Sequence, residues 1–491
     1  MSCKLVYQDI AVGAAADASV AASGVDSKSD VSKLPTGVIH PDFATLELNK
    51  WGGSGSKKVY NGQDIALVST AMSGADCTFA TPPSLTISFD SNYTTLGISF
   101  RFATNSVDYT SSLTLAWYQG ATLLDQKTFY PDGPSFFCEN TVTAFSKIVV
   151  TINATNLPGR YARMEQILFG VVREFGVGEI GNVDILQETD LISAELSINT
   201  MDWKLQSKTD VDYIFQLKQP ISVYNGSNLL GVFYVDDQVK RTDTKIYEIP
   251  CCDAIGVLDG GTFSATMYAG KNAVTALTEI VNGAFELDID SSFSSATLTG
   301  YIPDCSRRAA FQQVVFALGA VVSTAGSGKI KVFPVPSTLS EIPTSRVYEK
   351  GSVTQDAIVT AVVVTYHTYT AGSGSSGDDV ITVGGTKYVH TTGTVTITNP
   401  NVTASDKPNV KTVEEATLVN ASNASAVANR IYNYYNRRKT TSSKIMVSTE
   451  EPADHISIPT TFGTLDGNIE SMKIKLSNTT AASVEILEDA E

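Results

Sequence analysis

Two adjacent cysteines, Cys251 and Cys252, and the aspartate after them, Asp253, bring the most reactive side chains of the sequence together. A thiolate nucleophile needs a nearby base, and no base stands next to this pair. Side chains at adjacent strand positions point to opposite sides, so the two thiols do not form a zinc pair without further ligands. The apolar run before them and Gly260 after them favour two buried cysteines at a strand-to-helix corner, with Asp253 near the first helical turn.

Two glycine-rich segments match nucleotide-binding patterns in part. Gly176–Gly181 reads G-x-G-x-x-G, and Asp202 follows at the distance of a ribose partner, but a dinucleotide site also needs a helix that starts at the glycines. Residues 182–190 have no helical periodicity, so we interpret this segment as a domain junction. Gly326–Lys329 is similar to a phosphate loop, but Ile330 replaces the required Ser or Thr, which favours a hairpin-like connection.

Other chemical patterns are weaker still. No second His or Cys stands at metal-binding spacing from any of the four histidines, and we expect each to be a surface or strand residue: His40, His367, His390 and His455. Asp236-Asp237 and Asp288-Ile289-Asp290 lack the spacing of a calcium loop and are interpreted as solvated turns. The sequence therefore predicts no catalytic, cofactor-binding or metal-binding residue, and no enzyme.

The composition favours strands. The chain has 491 residues, of which 43% are hydrophobic and 18% charged, with many Thr, Ser, Val, Tyr and Phe residues. Its formal charge of -16 argues against a surface that neutralises nucleic-acid phosphates or anionic lipid, although DNA could slide past it without sticking. No apolar run reaches the roughly 18 residues of a membrane span, and no export signal is present. The six sparse cysteines are typical of a reduced, cytoplasmic assembly site.

The pattern alternates with period two from about Leu85 to Ile152, and then the turn Asn156–Gly159 leads to a last strand that ends near Phe169. These runs predict a β-sandwich within residues 1–170. A second β region is predicted at 171–260, with a strand at Ala194–Ile198 and a hairpin turn at Asn225-Gly226.

Helical spacing follows in residues 261–345. One predicted helix stops at Gly283 and another at Gly319, and a strand follows at Lys329–Val335, so we predict a small α/β insert. Residues 346–491 return to strands, with an exposed, flexible loop at Ala371–Asp379. One helix in this last region carries Val427, Ile431, Tyr434 and Tyr435 on one face. Its basic end, Arg437–Lys439, is expected to complement the helix dipole.

The order of these pieces resembles the tail hub proteins of bacteriophages, found in contractile baseplates and in siphophage tail tips. From residue 171 onward four segments carry the resemblance: YEIPCCDAIGVLD, SRRAAFQQVVFALGAVVSTAGSGKIKVFPV, ASAVANRIYNYYNRRK and DHISIPTTFGTLDGNIESMKIKLSN. HPDFATLELNKW, residues 40–51, looks like the leading segment of hub-type proteins in phages of Gram-positive bacteria. The sandwich resembles discoidin-like or carbohydrate-binding jelly rolls, most closely in NLPGRYARMEQILFG, residues 156–170.

The resemblance implies a mainly β chain: an N-terminal β-sandwich followed by two tail-tube-like β-barrels, at 171–260 and 346–491, either side of the insert. It implies a homotrimer whose six barrels form a ring on a hexameric tail tube, with a channel for genome passage. The expected partners are the tail tube protein, distal tail or baseplate proteins, and a tape measure or spike protein. The expected location is the virion, after assembly in the bacterial cytoplasm.

The alternative hypothesis is a receptor-binding adhesin that recognises host-surface carbohydrate through the N-terminal sandwich. Exposed aromatic side chains such as Tyr118 or Trp51 would then hold the sugar, although core packing is the favoured explanation for such aromatic residues.

Overall fold

A computed structural model describes residues 3–8, 10, 14–27, 29–35, 67–102, 108–170, 172–207, 215, 217–403, 405–476 and 480–490. Strands account for 54% of the structure and helices for 12%, which confirms the predicted mainly β fold. The chain forms two compact units, described separately here. One comprises residues 7–173 and 213–220, and the other comprises residues 1–6, 174–212 and 221–491. The finer division at residues 260 and 345 stays a prediction.

The first part of the chain is almost entirely strand. Its elements are β1 (Cys3–Gln8), α1 (Ala14–Asp17), β2 (Ser19–Ser23), a 3-10 turn (Val31–Lys33), β3 (Leu67–Met72), β4 (Ser84–Arg101), β5 (Thr110–Gln119), β6 (Thr122–Phe129), β7 (Ser135–Thr155), β8 (Tyr161–Met164), β9 (Gln166–Phe169) and β10 (Val172–Gly176). Six of these strands form one sheet in the order β2-β4-β7-β5-β6 with β9 on β4, and β3 pairs with β8.

The long strand β4 is bent, so that distant parts of it pack against the same core. Phe169 pairs with Ile98, nine residues beyond Phe89, a distance of about 30 Å along a straight strand. The rings of Phe89 and Phe169 nevertheless lie 5.2 Å apart. Register shifts between Ser88 and Gly97 provide the bend. At Gly97 an added Cβ would lie 2.4 Å from the Cys138 carbonyl oxygen, so the approach of β7 requires glycine there.

The next segment builds half of a much larger sheet. Its elements are β11 (Ile180–Glu188), β12 (Thr200–Gln206), β13 (Pro220–Asn225), β14 (Asn228–Val235), β15 (Lys240–Asp243), β16 (Ile246–Cys252) and α2 (Ala254–Asp259). The whole sheet, which we call the long sheet, has fifteen strands in the order β10-β1-β13-β14-β16-β12-β11 and onward into the C-terminal strands.

This half of the long sheet curls into a barrel. Five strand-to-strand steps separate β10 from β12, which is about 24 Å in a flat sheet. Phe175 on β10 nevertheless packs edge-on against Trp203 on β12, with ring centroids 5.0 Å apart. The three-residue turn 177–179 also joins the two ends of the path, β10 and β11. The interior is filled, since Met201, Trp203 and Leu205 are at most 1% exposed.

The segment 261–345 contains both helices and short strands. It contains β17 (Thr262–Phe263), β18 (Thr266–Asn272), α3 (Ala273–Val281), β19 (Leu287–Ile289), a 3-10 turn (Ser291–Phe293), β20 (Thr297–Ile302), β21 (Cys305–Ser306), α4 (Arg307–Leu318), β22 (Val321–Ser323) and β23 (Ile330–Phe333). Gly319 ends α4 at a φ of 74°, as predicted from its position. The end of α3 comes one residue earlier than predicted, because Asn282 already adopts the left-handed conformation.

The C-terminal strands divide between two sheets. The elements are β24 (Ser340–Glu341), a 3-10 turn (Thr344–Arg346), β25 (Val347–Glu349), β26 (Val353–Gln355), β27 (Ala361–Ala371), β28 (Asp379–Val383), β29 (Thr386–Thr398), β30 (Val410–Val413), α5 (Ala424–Asn436), β31 (Lys439–Met446), β32 (His455–Thr460), β33 (Gly463–Leu476) and β34 (Ala481–Glu488). Four of them form a separate sheet in the order β28-β29-β27-β30, against which α5 packs.

The other C-terminal strands continue the long sheet. Antiparallel pairing of β11 with β33 joins the two halves, and the order then runs β33-β34-β31-β25. β26 pairs with β31, β32 with β33, and β24 with β32. The strands predicted for the second barrel are therefore present, but those at 357–397 belong to the four-stranded sheet and those at 444–476 to the long sheet.

Two local predictions were wrong. Ala194–Ile198 is not a strand, because side chains of α4 bind its backbone: Gln312 donates to the carbonyls of Ser193 and Ala194, and Arg308 to that of Leu196. The predicted hairpin exists, but its turn lies one residue later. Asn225 stays in β13, while Gly226, with a φ of 64°, and Ser227 form the turn.

Candidate functional site

The cysteine pair lies at the predicted corner, where β16 ends and α2 begins. In the antiparallel register with β12, Cys251 lies opposite Met201 and Cys252 opposite Thr200, so the two side chains point to opposite sides of the sheet. Both are buried, at 3% and 2% exposure. Burial raises the pKa of both thiols, so neither is poised as a thiolate. Both cysteines are therefore buried at a strand-to-helix corner, as the sequence predicted.

Helix α2 covers the outer thiol at close range. A Cβ added at Gly256 would lie 2.7 Å from Cβ and Sγ of Cys252, so the helix can approach the strand only with glycine there. This close contact explains why Cys252 is buried although it points away from the barrel interior.

Asp253 caps α2 from a fully buried position. Its Oδ1 accepts hydrogen bonds from the backbone N–H groups of Ile255 and Gly256, each 3.1 Å long. Its Oδ2 accepts one of 2.7 Å from the Thr324 hydroxyl, which in turn accepts from the Asn199 amide at 3.0 Å. Burial raises the pKa of Asp253 to about 6 despite these donors. The aspartate thus connects α2 by hydrogen bonds to Thr324 of the insert and, through Thr324, to Asn199, the residue before β12.

The glycine-rich segments lie in turns, as predicted. Gly176–Gly181 spans the end of β10, the turn 177–179 and the start of β11, with no helix to receive a pyrophosphate. Asp202 faces Asp184 across β11 and β12. Gly326–Lys329 lies in the connection between the antiparallel strands β22 and β23, and Lys329 pairs with Glu286 at 2.9 Å.

We expected no histidine to lie close to another histidine, and this was wrong for two of the four. His367 on β27 and His390 on β29 lie side by side, with His367 Nδ1 2.9 Å from His390 Nε2. His390 Nδ1 lies 2.6 Å from Asp379 Oδ2 on β28. His455 contacts Asp489 at 2.9 Å elsewhere on the chain, and His40 lies outside the described residues. Sequence separation hid this cluster, because only the strand register brings the two rings together.

The basic end of α5 forms hydrogen bonds to other segments of the chain. Arg437 donates to the backbone carbonyls of Leu487 and Glu488 at the end of β34, at 2.6 and 3.0 Å. Arg438 donates to the carbonyl of Asp356. These two arginines therefore connect the end of the helix to neighbouring segments, and the effect of the cluster on the helix dipole stays a prediction.

Of the two aromatic residues considered for carbohydrate binding, Tyr118 lies in the described part of the chain and Trp51 lies outside it. Tyr118 is half-buried, and the Lys147 ammonium lies 4.4 Å from its ring centroid, so that face is already covered. In residues 156–170, Arg160 forms a buried ion pair with Asp108 at 3.1 Å.

One side of the long sheet carries mostly polar side chains along five neighbouring strands. Its residues occupy facing positions on β16, β12, β11, β33 and β34: Glu248, Pro250, Thr200, Asp202, Lys204, Asn182, Asp184, Leu186, Lys473, Lys475, Ser483 and Glu485. We call this set the outer face. Lys475 lies 3.7 Å from Asp184 and Lys204 lies 3.9 Å from Glu248, so two of its lysines have carboxylate neighbours.

Within the described residues, no group of three or more His, Cys, Asp or Glu side chains converges as metal ligands. No helix among them is long and apolar enough to cross a membrane.

No protein-family model matches the chain, and no curated protein matches it. Solved structures do. A tail protein from Neisseria meningitidis is 10% identical over 65% of this chain and 94% of its own, with a TM-score of 0.46. The 43 kDa tail protein of prophage MuSo2 from Shewanella oneidensis is 11% identical over 64% and 95%, with a TM-score of 0.44. Prophage tail protein gp18 from Listeria monocytogenes is 14% identical over 64% and 91%, with a TM-score of 0.42.

Proposed function

We propose that the chain is a structural component of a phage tail, located at the baseplate or tail tip. Three copies would form the hub that caps the tail tube and leaves a channel for the genome. The proposal depends above all on one observation, the continuity of the long sheet from the first barrel through the β11–β33 pairing into the C-terminal strands. Such a sheet can form an uninterrupted wall segment in each copy.

The channel of this proposal lies between copies. The barrel interior of one chain is filled by side chains such as Trp203 and Phe233, each 1% exposed, so DNA has no passage through it. The twelve residues of the outer face include no aromatic side chain. We therefore assign the channel wall to the outer face.

The charge of the outer face suits passage of DNA. Asp184 and Glu248 neighbour Lys475 and Lys204, so these lysines are partly neutralised towards phosphate. The whole chain carries a formal charge of -16, and a negative wall does not retain a polyanion. The proposed partners are proteins: the tail tube protein, distal tail or baseplate proteins, and a tape measure or spike protein. No turnover of a substrate is part of the proposal.

The first test is the oligomeric state of the purified full-length chain, alone and with a tail tube protein, by native mass spectrometry. A trimer that binds the tube protein is expected. A monomer that does not associate with tube protein would contradict the proposal, and so would cleavage of peptidoglycan or polysaccharide by the purified chain.

The second test asks which surface lines the channel. Lys204→Cys and Lys473→Cys place thiols on the outer face, and Lys387→Cys on exposed β29 is the matched control. In the assembled trimer, a small maleimide should label all three variants, whereas a bulky polymer-linked maleimide should label only Lys387→Cys at an undiminished rate. Equal labelling of the three variants by the bulky reagent would place the outer face outside a channel.

A further inference from the structure

A line of hydrogen bonds crosses the four-stranded sheet. Asp379 lies on β28, His390 on β29 and His367 on β27, and Glu414 directly follows β30. Asp379 Oδ2 lies 2.6 Å from His390 Nδ1, and His390 Nε2 lies 2.9 Å from His367 Nδ1. His367 Nε2 lies 2.9 Å from the carbonyl oxygen of Glu414. We call these four residues the histidine clasp.

The acceptors at the two ends decide where the protons lie. A backbone carbonyl only accepts, so Nε2 of His367 carries a proton and Nδ1 of the neutral ring is an acceptor. His390 Nε2 must then donate to His367. The ionised carboxylate of Asp379 also only accepts, so His390 Nδ1 must donate as well. The complete clasp therefore holds three ring protons, one more than two neutral rings carry, so the pair of rings has one positive charge. Next to the Asp379 carboxylate this charge lies on His390, and His367 is the neutral ring.

The burial of the two rings agrees with this division of charge. His367 is 6% exposed, and its burial lowers the pKa of the ring, which favours the neutral form. The side chain of His390 is 19% exposed and that of Asp379 is 66% exposed, so the ion pair lies at the solvent side. The Tyr369 ring stacks on His390 with centroids 4.8 Å apart and an angle of 13°, a position that stabilises a cation.

The other ionisable groups around the clasp do not replace these partners. Tyr301 of β20 packs edge-on against Tyr369 at 5.8 Å, and burial raises the pKa of Tyr369, so this phenol stays neutral. Helix α5 packs against the same sheet, but its ionisable side chains have partners elsewhere: Arg430 binds the Phe316 carbonyl, Tyr434 donates to Glu470, and the Tyr435 ring contacts Lys411 of β30. Asp379 is thus the carboxylate in contact with His390.

We propose that the histidine clasp joins β28 and β29 to β27 and β30 in a pH-dependent way. As pH rises, the two rings together lose the third proton and one hydrogen bond of the line is lost. As pH falls below about 6.5, the ordinary value of an unfolded histidine, the neutral state of His367 in the fold becomes a cost, and protonation of its Nδ1 breaks the line on the other side. The hydrogen bonds that join β28 and β29 to β27 and β30 are strongest between these two limits.

The proposal is tested on the full-length chain in two ways. Exchange of the imidazole C2 hydrogen, read by mass spectrometry for each histidine peptide, reports the titration of each ring. His367 should stay neutral to a lower pH than an unfolded histidine, because its burial lowers the pKa of the ring. Amide exchange of β28 and β29, with labelling times scaled for the intrinsic rate, should be slowest between the two limits and about tenfold faster beyond each, the equivalent of one charged hydrogen bond.

Two variants make the test specific. Asp379→Asn removes the counter-charge and should move the alkaline limit to lower pH, whereas His455→Gln, which changes a separate histidine–aspartate contact, should leave β28 and β29 unchanged. The proposal is overturned if Asp379→Asn leaves the pH dependence of amide exchange in β28 and β29 unchanged. It is also overturned if amide exchange in β28 and β29 of the wild-type chain is not slowest at an intermediate pH. This second measurement does not depend on the folding of any variant.

Discussion

The long sheet and the four-stranded sheet are held together by different interactions. Along β12 of the long sheet, buried and exposed residues alternate without exception, and the buried side fills a barrel. By contrast, β28 and β29 of the four-stranded sheet carry no fully buried residue. Burial fixes the register of the first sheet, because a one-residue slip would expose its core. We expect β28 and β29 of the second sheet to depend more on hydrogen bonds, including those of the two histidines.

The largest expected effect comes from emptying the barrel. Trp203→Ala should lower the free energy of unfolding by about 3–5 kcal/mol, because it removes a ring that contacts Phe175 across the closed barrel. Lys204→Ala, one position away on the outer face, should change it by less than about 0.5 kcal/mol. Urea denaturation followed by circular dichroism measures both. A similar, small effect of the two substitutions would contradict a filled barrel.

The stability contributed by Asp253 at the corner between β16 and α2 should depend on pH. The pKa of Asp253 is raised to about 6 in the fold against about 3.9 when unfolded, so the folded state binds more protons between these values. The contribution of this group to stability is therefore present below about pH 4 and is lost as pH rises to about 6, by roughly 3 kcal/mol. Asp253→Asn can keep the cap and should remove this dependence. Parallel stability curves for the two proteins from pH 4 to 7 would contradict it.

The cysteines at the same corner should matter only for packing. Replacing Cys251 and Cys252 by Ala removes two buried sulfur atoms and should cost about 2 kcal/mol of unfolding free energy, with the oligomeric state unchanged. Cys305→Ala, at a half-buried position, is the control and should cost less. Thermal unfolding and native mass spectrometry measure the two properties. Loss of a bound metal ion in the double variant would show that the pair has a chemical role.

A matched pair of substitutions sharpens the comparison within the four-stranded sheet. Val362→Ala changes a residue that is 0% exposed and packs in the α5 core, and should cost about 1.5–2 kcal/mol. Val389→Ala makes the same change on half-buried β29 and should cost less than about 0.5 kcal/mol. Equal losses of unfolding free energy in urea denaturation would mean that β29 is packed as tightly as β27.

Local patterns predicted the elements well. The alternation from Leu85 to Ile152, the glycine at position 319 and the capping aspartate after Cys252 each reflect forces between near neighbours in the sequence, namely burial on one face, backbone conformation and hydrogen bonding of a helix end. The prediction failed at Ala194–Ile198, where side chains more than a hundred residues away bind the backbone carbonyls.

The sequence patterns did not predict which distant strands pair with each other. β11 and β33 are almost three hundred residues apart, and both alternate as any half-buried strand does, so their partnership has no local signal. The same holds for His367 and His390. Their contact follows from the register in which Tyr369 lies opposite His390, and a correct prediction of the β27–β29 pairing would have revealed it.

Electron cryomicroscopy of the full-length chain assembled with tail tube protein tests the proposed function most directly. We expect a threefold ring in which the two halves of each long sheet lie side by side around a central channel lined by the outer face, with Lys204 and Lys473 towards the lumen. A monomer, a ring without a channel, or a channel lined by the four-stranded sheet in place of the long sheet would contradict the account.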